Sequence, residues 1–196
     1  MYRSKNGKIR WGWLVVILVV FLIASAALGY FFQKFLGHYQ IPQSFSVWLV
    51  MLIILGILIV VNLSVLPIPF GISILIAAAG MWNPVLVAFV GSLGSCIGES
   101  SSYYIGRIGK KIAIGDDVVG YKMVKRWVDK YGMWAIAFLS FQPIIPFELG
   151  GLVAGAMKMP FKKFFPALCI GKFPKYLILI FLGQAILHIV PSNIFH

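Results

Sequence analysis

The sequence predicts an all-α polytopic membrane protein whose transmembrane helices flank two re-entrant, broken-helix hairpins related by an inverted repeat. Three observations predict it. First, hydrophobic residues make up 61% of the 196 and charged residues only 11%, and several apolar runs reach the roughly 20 residues that cross a bilayer. Second, two apolar tracts are broken by prolines, each of which lacks a donor and clashes with the preceding turn. Third, one pattern occurs twice. Cys96-Ile97-Gly98-Glu99 is followed by Tyr103, and Cys169-Ile170-Gly171-Lys172 by Tyr176. Each copy lies downstream of an Ile-Pro-Phe, at 68–70 and at 145–147. The apolar runs are continuous rather than alternating in segments of about 10 residues, which excludes a transmembrane β-barrel.

The elements follow in order. Residues 1–44 form an N-terminal unit. Arg3, Lys5, Lys8 and Arg10 carry no acid among them, Trp11 and Trp13 follow, and an apolar run extends from Leu14 to Phe32. Basic flank, aromatic belt and apolar core read as a helix anchored with its N-terminus in the cytoplasm. Ala24-Ser25-Ala26 imitates a signal-peptide cleavage site, but the apolar run continues well past it. Residues 33–44 form a polar link.

Residues 45–190 form the membrane domain. A second apolar helix spans 45–61, and repeat one covers 62–106. Its break holds Pro67, Pro69 and Gly71, and irregular backbone at membrane depth is tolerated only when buried in protein or facing water. The arm after the break, 72–81, spans about 15 Å as a helix, half a membrane. Asn83-Pro84 restarts a helix over 85–105, rich in Gly and Ser, with a GxxxG from Gly94 to Gly98 that permits close helix approach.

The loop 107–131 is the one substantial polar stretch. Arg107, Lys110, Lys111, Lys122, Lys125, Arg126 and Lys130 oppose Asp116, Asp117 and Asp129, which puts the loop on the cytoplasmic side. Asp116-Asp117 is suited to cap a short helix. Tyr121, Val124, Val128 and Tyr131 then share one face, as in an amphipathic helix lying at the membrane surface or packed on the protein. Repeat two covers 132–185: an apolar arm, a break with Pro143 and Pro146, an arm ending at Gly155, then a final span over roughly 164–190 kinked at Pro174. The tail is 191–196.

Composition and spacing exclude several functions. The net charge of +12 is the positive-inside bias of a membrane protein rather than a nucleic-acid footprint. The two cysteines form no CxxC and read as small packing residues. His38, His188 and His196 lie far in sequence from every acidic residue, so a Ser-His-Asp set has no support. No catalytic set, metal site or cofactor is expected, and the chain is not read as an enzyme.

Glu99 and Glu148 are the acids expected at membrane depth. A charge at a helix centre costs at least about 2.5–3.5 kcal/mol on insertion scales. The expected relief is pairing of Glu99 with Lys172, or with Arg107 or Lys175. Glu148, beside a break, can meet free backbone N–H groups. Glu99, Glu148, Lys172, Arg107 and Lys175 are thus the expected headgroup path, at the interface of inverted repeats where transporters bind their substrates.

These residues resemble a known family. Gly98-Glu99 followed by Tyr103, Tyr104 and Gly106-Arg107, then Pro143 with Pro146-Phe147-Glu148-Leu149, Ala154-Gly155, Pro160-Phe161, Phe164-Phe165 and Ile170-Gly171-Lys172, resemble the DedA superfamily, also called the VTT or SNARE-associated domain family. The similarity covers about 60–185, and its Gly-Glu and Ile-Gly-Lys elements look like the vacuole-membrane-protein branch. The resemblance implies two facing re-entrant hairpins and movement of lipid between leaflets, by scrambling of phospholipid or flipping of a polyprenyl phosphate, in some members linked to protons. Gly71 stands where bacterial members often carry an acid, and Ser140 and Gln142 where they often carry arginine, which weighs against proton coupling. The expected function is a lipid scramblase or flippase of the cell membrane, with membrane lipids as partners and no nucleic acid. The rivals are a proton- or ion-coupled exporter of small solutes and a non-transporting assembly scaffold.

Overall fold

The computed structural model describes residues 11–38, 47–63, 70–109, 120–142 and 147–189, and every regular element among them is helical. The helices are α1 (Trp11–His38), α2 (Val47–Leu63), α3 (Phe70–Ala79), α4 (Pro84–Ile108), α5 (Tyr121–Tyr131), α6 (Met133–Phe141), α7 (Phe147–Ala156) and α8 (Phe161–Ile189). By length and composition, Pro84–Ile108 and Phe161–Leu187 are sufficient to cross a membrane.

Helix boundaries follow local chemistry. Asn83 caps α4 by accepting from the backbone N–H of Val85 at 2.9 Å and of Leu86 at 3.3 Å, and Pro84 supplies a preset φ at the first position. α1 continues through 33–38, where a polar link is expected. α2 runs on to Leu63, and Asn62 turns its amide back to the Leu58 carbonyl at 2.8 Å. Gly71, expected at the break, lies in the first turn of α3, where a Cβ would come within 3.2 Å of Leu58 Cδ1. Close packing, not backbone freedom, is its use. Pro67, Pro69, Pro143 and Pro146 fall outside the described residues, as do Lys110, Lys111, Asp116 and Asp117. The cap of α5 is Gly120 at φ 97°, with no side-chain cap, because Asp117 stands too far upstream of Tyr121. α8 remains one helix through Pro166 and Pro174.

Two apolar cores lie along α4 and α8. One joins the C-terminal half of α4 to α5, α6, α7 and the start of α8 through Tyr103, Val124, Ile136, Val153 and Phe164. The other joins the N-terminal half of α4 to α2, α3 and the end of α8 through Leu58, Leu75, Val87, Tyr176 and Ile180. Val20, Leu52, Val60, Phe89 and Phe181 stay exposed on the outside, as suits a surface solvated by lipid tails. Between helices in lipid, close packing rather than the hydrophobic effect drives association, and the glycines serve it. A Cβ at Gly94 would lie 2.7 Å from the Leu55 carbonyl oxygen, and one at Gly98 2.6 Å from that of Ile59. The Gly94–Gly98 face is therefore where α4 meets α2.

Candidate functional site

α4 carries a stripe of small polar residues through its buried face. Most satisfy themselves on the helix backbone: Ser92 donates to the Phe89 carbonyl at 2.8 Å, Ser100 to that of Cys96 at 2.7 Å, and Ser102 to that of Glu99 at 2.7 Å. Such bonding removes the cost of burying a hydroxyl. Ser95 and Glu99 instead face α8.

Lys172 reaches across from α8. Its Nζ donates to Glu99 Oε1, forming an ion pair with 3% of the lysine and 9% of the glutamate side chain exposed. Nζ also donates to Ser95 Oγ at 2.8 Å, and Tyr176 OH donates to the same oxygen at 2.8 Å. The ammonium lies 5.4 Å from the Tyr176 ring centroid and 5.9 Å from that of Phe147. Aromatic faces are a favourable wall for a desolvated cation. The second carboxylate oxygen, Glu99 Oε2, is buried with no hydrogen-bond partner. A charged oxygen left so is costly.

Glu148 and Lys175 stand beside this pair. Both are half-buried, and both lie within electrostatic range of Glu99, Lys172 and each other. Glu148 occupies the first turn of α7, where free N–H groups and the helix dipole favour a negative charge. Four of the five expected path residues therefore converge between α4, α7 and α8.

Arg107 does not join them. It lies two turns beyond Glu99, about 12 Å along α4, and is exposed. Its guanidinium donates to Tyr103 OH at 2.5 Å, and that hydroxyl donates to the Met159 carbonyl at 2.6 Å. The Arg107–Tyr103 pair ties α4 to the turn before α8. Sequence reasoning assigned no role to Ser95 or to the Tyr176 hydroxyl. Ser95 was legible in principle, since it stands one turn before Glu99 on the same helix face.

The two copies of the repeated pattern meet here. The Cys96 and Cys169 thiols neighbour each other, and Glu99 pairs with Lys172. Their glycines behave alike: Gly98 abuts the end of α2 at Ile59 and Asn62, and Gly171 abuts the end of α6 at Ala137 and Ser140. α4 packs on α2 and α7, and α8 packs on α6 and α3.

A sequence profile described as the VTT domain matches residues 66–185. Neither the curated proteins nor the solved structures gave a match to this chain.

Proposed function

The chain belongs to the VTT domain family, a membrane-associated family whose members are commonly transporters or flippases, and from that premise we propose that it moves phospholipid or polyprenyl-phosphate headgroups between leaflets. The observation that carries the reading is the convergence of Glu99, Lys172, Glu148 and Lys175 at one place inside apolar helices. Two carboxylates and two ammonium groups have balanced formal charge, which suits a zwitterionic head. The unpartnered Glu99 Oε2 supplies an acceptor that an incoming ammonium or hydroxyl would satisfy. Tails would remain in lipid while the head passed between α4, α7 and α8.

On this reading α4 and α8 span the membrane, α2–α3 and α6–α7 are the re-entrant hairpins, and the halves form an inverted repeat. Its support is the matched packing of Gly98 and Gly171 and the meeting of the two Cys-Ile-Gly-charge copies. Positive-inside bias places the N-terminus and the loop 107–131 in the cytoplasm, and the cell membrane is the proposed location.

A second reading has its own observation. With so little of either side chain exposed, the Glu99–Lys172 pair also suits a scaffold in which it only locks α4 to α8.

The test is lipid transfer in proteoliposomes, with a fluorescent phospholipid in both leaflets and a membrane-impermeant quencher outside. Glu148→Gln and Lys175→Gln are the informative variants, because both residues lie outside the buried pair. Quenching beyond the outer half, slowed about tenfold or more in these variants at unchanged melting temperature, is the expected result. Quenching confined to the outer half, with and without an imposed proton gradient, removes phospholipid scrambling and leaves the polyprenyl phosphate and scaffold readings. Flux that requires the gradient would favour a coupled exporter.

A further inference from the structure

We propose that the cleft between α5 and α6 is a binding site for an anionic phospholipid of the surrounding leaflet, distinct from the charged cluster at the α4–α8 crossing. The cleft is open, measures about 420 Å³, and is lined by Trp127, Tyr131, Trp134, Ala135 and Phe138. Trp127 packs edge-on against Phe138 at 5.8 Å, forming one wall. Trp134, Phe138 and Tyr131 are more than half exposed, at 66%, 55% and 54%. Large aromatic side chains with one apolar body and one polar tip favour the level of the lipid headgroups, and acyl methylenes suit the cleft between them.

α5 buries Val124 and Val128 against the protein and presents its polar residues outward. Arg126 and Lys130 stand one turn apart on a single row of that helix, on the solvent edge of the face that carries Trp127 and Tyr131. Both are exposed, and Lys130 Nζ sits 5.0 Å from the Tyr131 ring centroid, at the mouth of the cleft. Asp129, the acid of this helix, lies away from Trp127 and Tyr131, one turn from Lys125 and next to Arg126, which leaves Lys130 nearest the cleft. The cleft mouth is therefore cationic and its floor aromatic, the complement of a phosphate-bearing head above acyl chains. Basic residues beside a membrane attract anionic lipid by about fivefold each, so the Arg126–Lys130 row should favour an anionic over a zwitterionic head by roughly 25-fold at low salt.

The inference needs only that the protein resides in a membrane, not that it moves lipid, and its test reads binding rather than transfer. Full-length protein is reconstituted in phosphatidylcholine vesicles containing a minor fraction of either phosphatidylglycerol or phosphatidylcholine brominated in the acyl chains. The cleft component of tryptophan fluorescence is the signal lost in Trp127→Phe/Trp134→Phe. Brominated phosphatidylglycerol should quench that component at a much lower mole fraction than brominated phosphatidylcholine. Added salt should shrink the difference. Arg126→Gln/Lys130→Gln should abolish it, whereas Lys125→Gln, on the side of the helix opposite Trp127 and Tyr131, should preserve it. Equal quenching by the two lipids overturns the proposal. So does a preference that survives Arg126→Gln/Lys130→Gln, or one lost equally in Lys125→Gln, which would mark a diffuse basic surface instead of a site.

Discussion

The Glu99 carboxylate and the Lys172 ammonium close an ion pair across the α4–α8 crossing, each from the charged slot of the same four-residue pattern. Both side chains are almost wholly removed from solvent. In such a place the attraction between the partners roughly offsets their desolvation, but removing one strands the other. Glu99→Gln and Lys172→Met should each destabilise the protein by about 3–5 kcal/mol, and Glu99→Gln/Lys172→Met should cost well under the sum. Thermal unfolding in detergent checks this. Single variants that melt with the wild type would mean that water already reaches the pair.

Backbones approach more closely where α4 meets α7 than side chains would permit. A Cβ at Gly106 would overlap the Leu152 carbonyl oxygen, and one at Gly155 that of Tyr103. Neither obstacle is a flexible side-chain tip that could swing aside. Gly106→Ala and Gly155→Ala should each destabilise by about 1–3 kcal/mol or more. Gly56, with open space where its Cβ would stand, is the control: Gly56→Ala should be neutral or gain up to about 1 kcal/mol from helix propensity. Equal melting temperatures for all three variants would contradict the α4–α7 packing.

Much of this arrangement is legible in the sequence. The helical class, the restart at Asn83-Pro84, the short arms, expected over 72–81 and up to Gly155 and found at 70–79 and 147–156, and the Glu99–Lys172 pair follow from apolar run length, capping chemistry and the cost of a charge in lipid. What was not legible depended on helix rotation. Arg107 shares α4 with Glu99, yet at two turns' remove its guanidinium belongs to Tyr103 instead. Gly71 reads as a helix breaker beside Pro69, but in a glycine the demands of turning and of close packing look the same in sequence. Packing on Leu58 decides here. The cap of α5 falls at Gly120, and nothing local in the sequence fixes where the helix of Val124 and Val128 begins.

The two thiols at the crossing give a check on register. Cys96 and Cys169 neighbour each other across the α4–α8 crossing, and both precede their charged residues by one helical turn. A membrane-permeant oxidant such as copper–phenanthroline should join them, with two thiol protons and two electrons passing to the oxidant. Peptide mapping under non-reducing conditions should recover a peptide linking 96 to 169. The same treatment of Cys96→Ser should leave Cys169 as a free thiol. Failure to cross-link, with both thiols recovered free on alkylation after denaturation, would place α4 and α8 in a different register from the one that pairs Glu99 with Lys172.

The turn between α7 and α8 holds a residue in a conformation that its side chain disfavours. Lys158 has φ 57°, the left-handed region that costs an L-residue roughly 1–2 kcal/mol and glycine almost nothing. The position is imposed by the hydrogen bonds that end α7. Lys158 N–H donates to the Gly155 carbonyl at 2.9 Å and Met159 N–H to that of Ala154 at 3.0 Å, the paired bonds of a Schellman cap, where glycine is the usual residue. The lysine side chain is exposed, so packing does not compensate. Lys158→Gly should therefore stabilise the protein by about 1 kcal/mol, with the strain relieved exceeding the greater freedom of an unfolded glycine. Lys158→Ala, which keeps the Cβ, should leave the melting temperature nearly unchanged. A loss of stability in Lys158→Gly alone would show that the chain does not hold this cap. Equal losses in both variants would assign the ammonium a partner at the membrane surface.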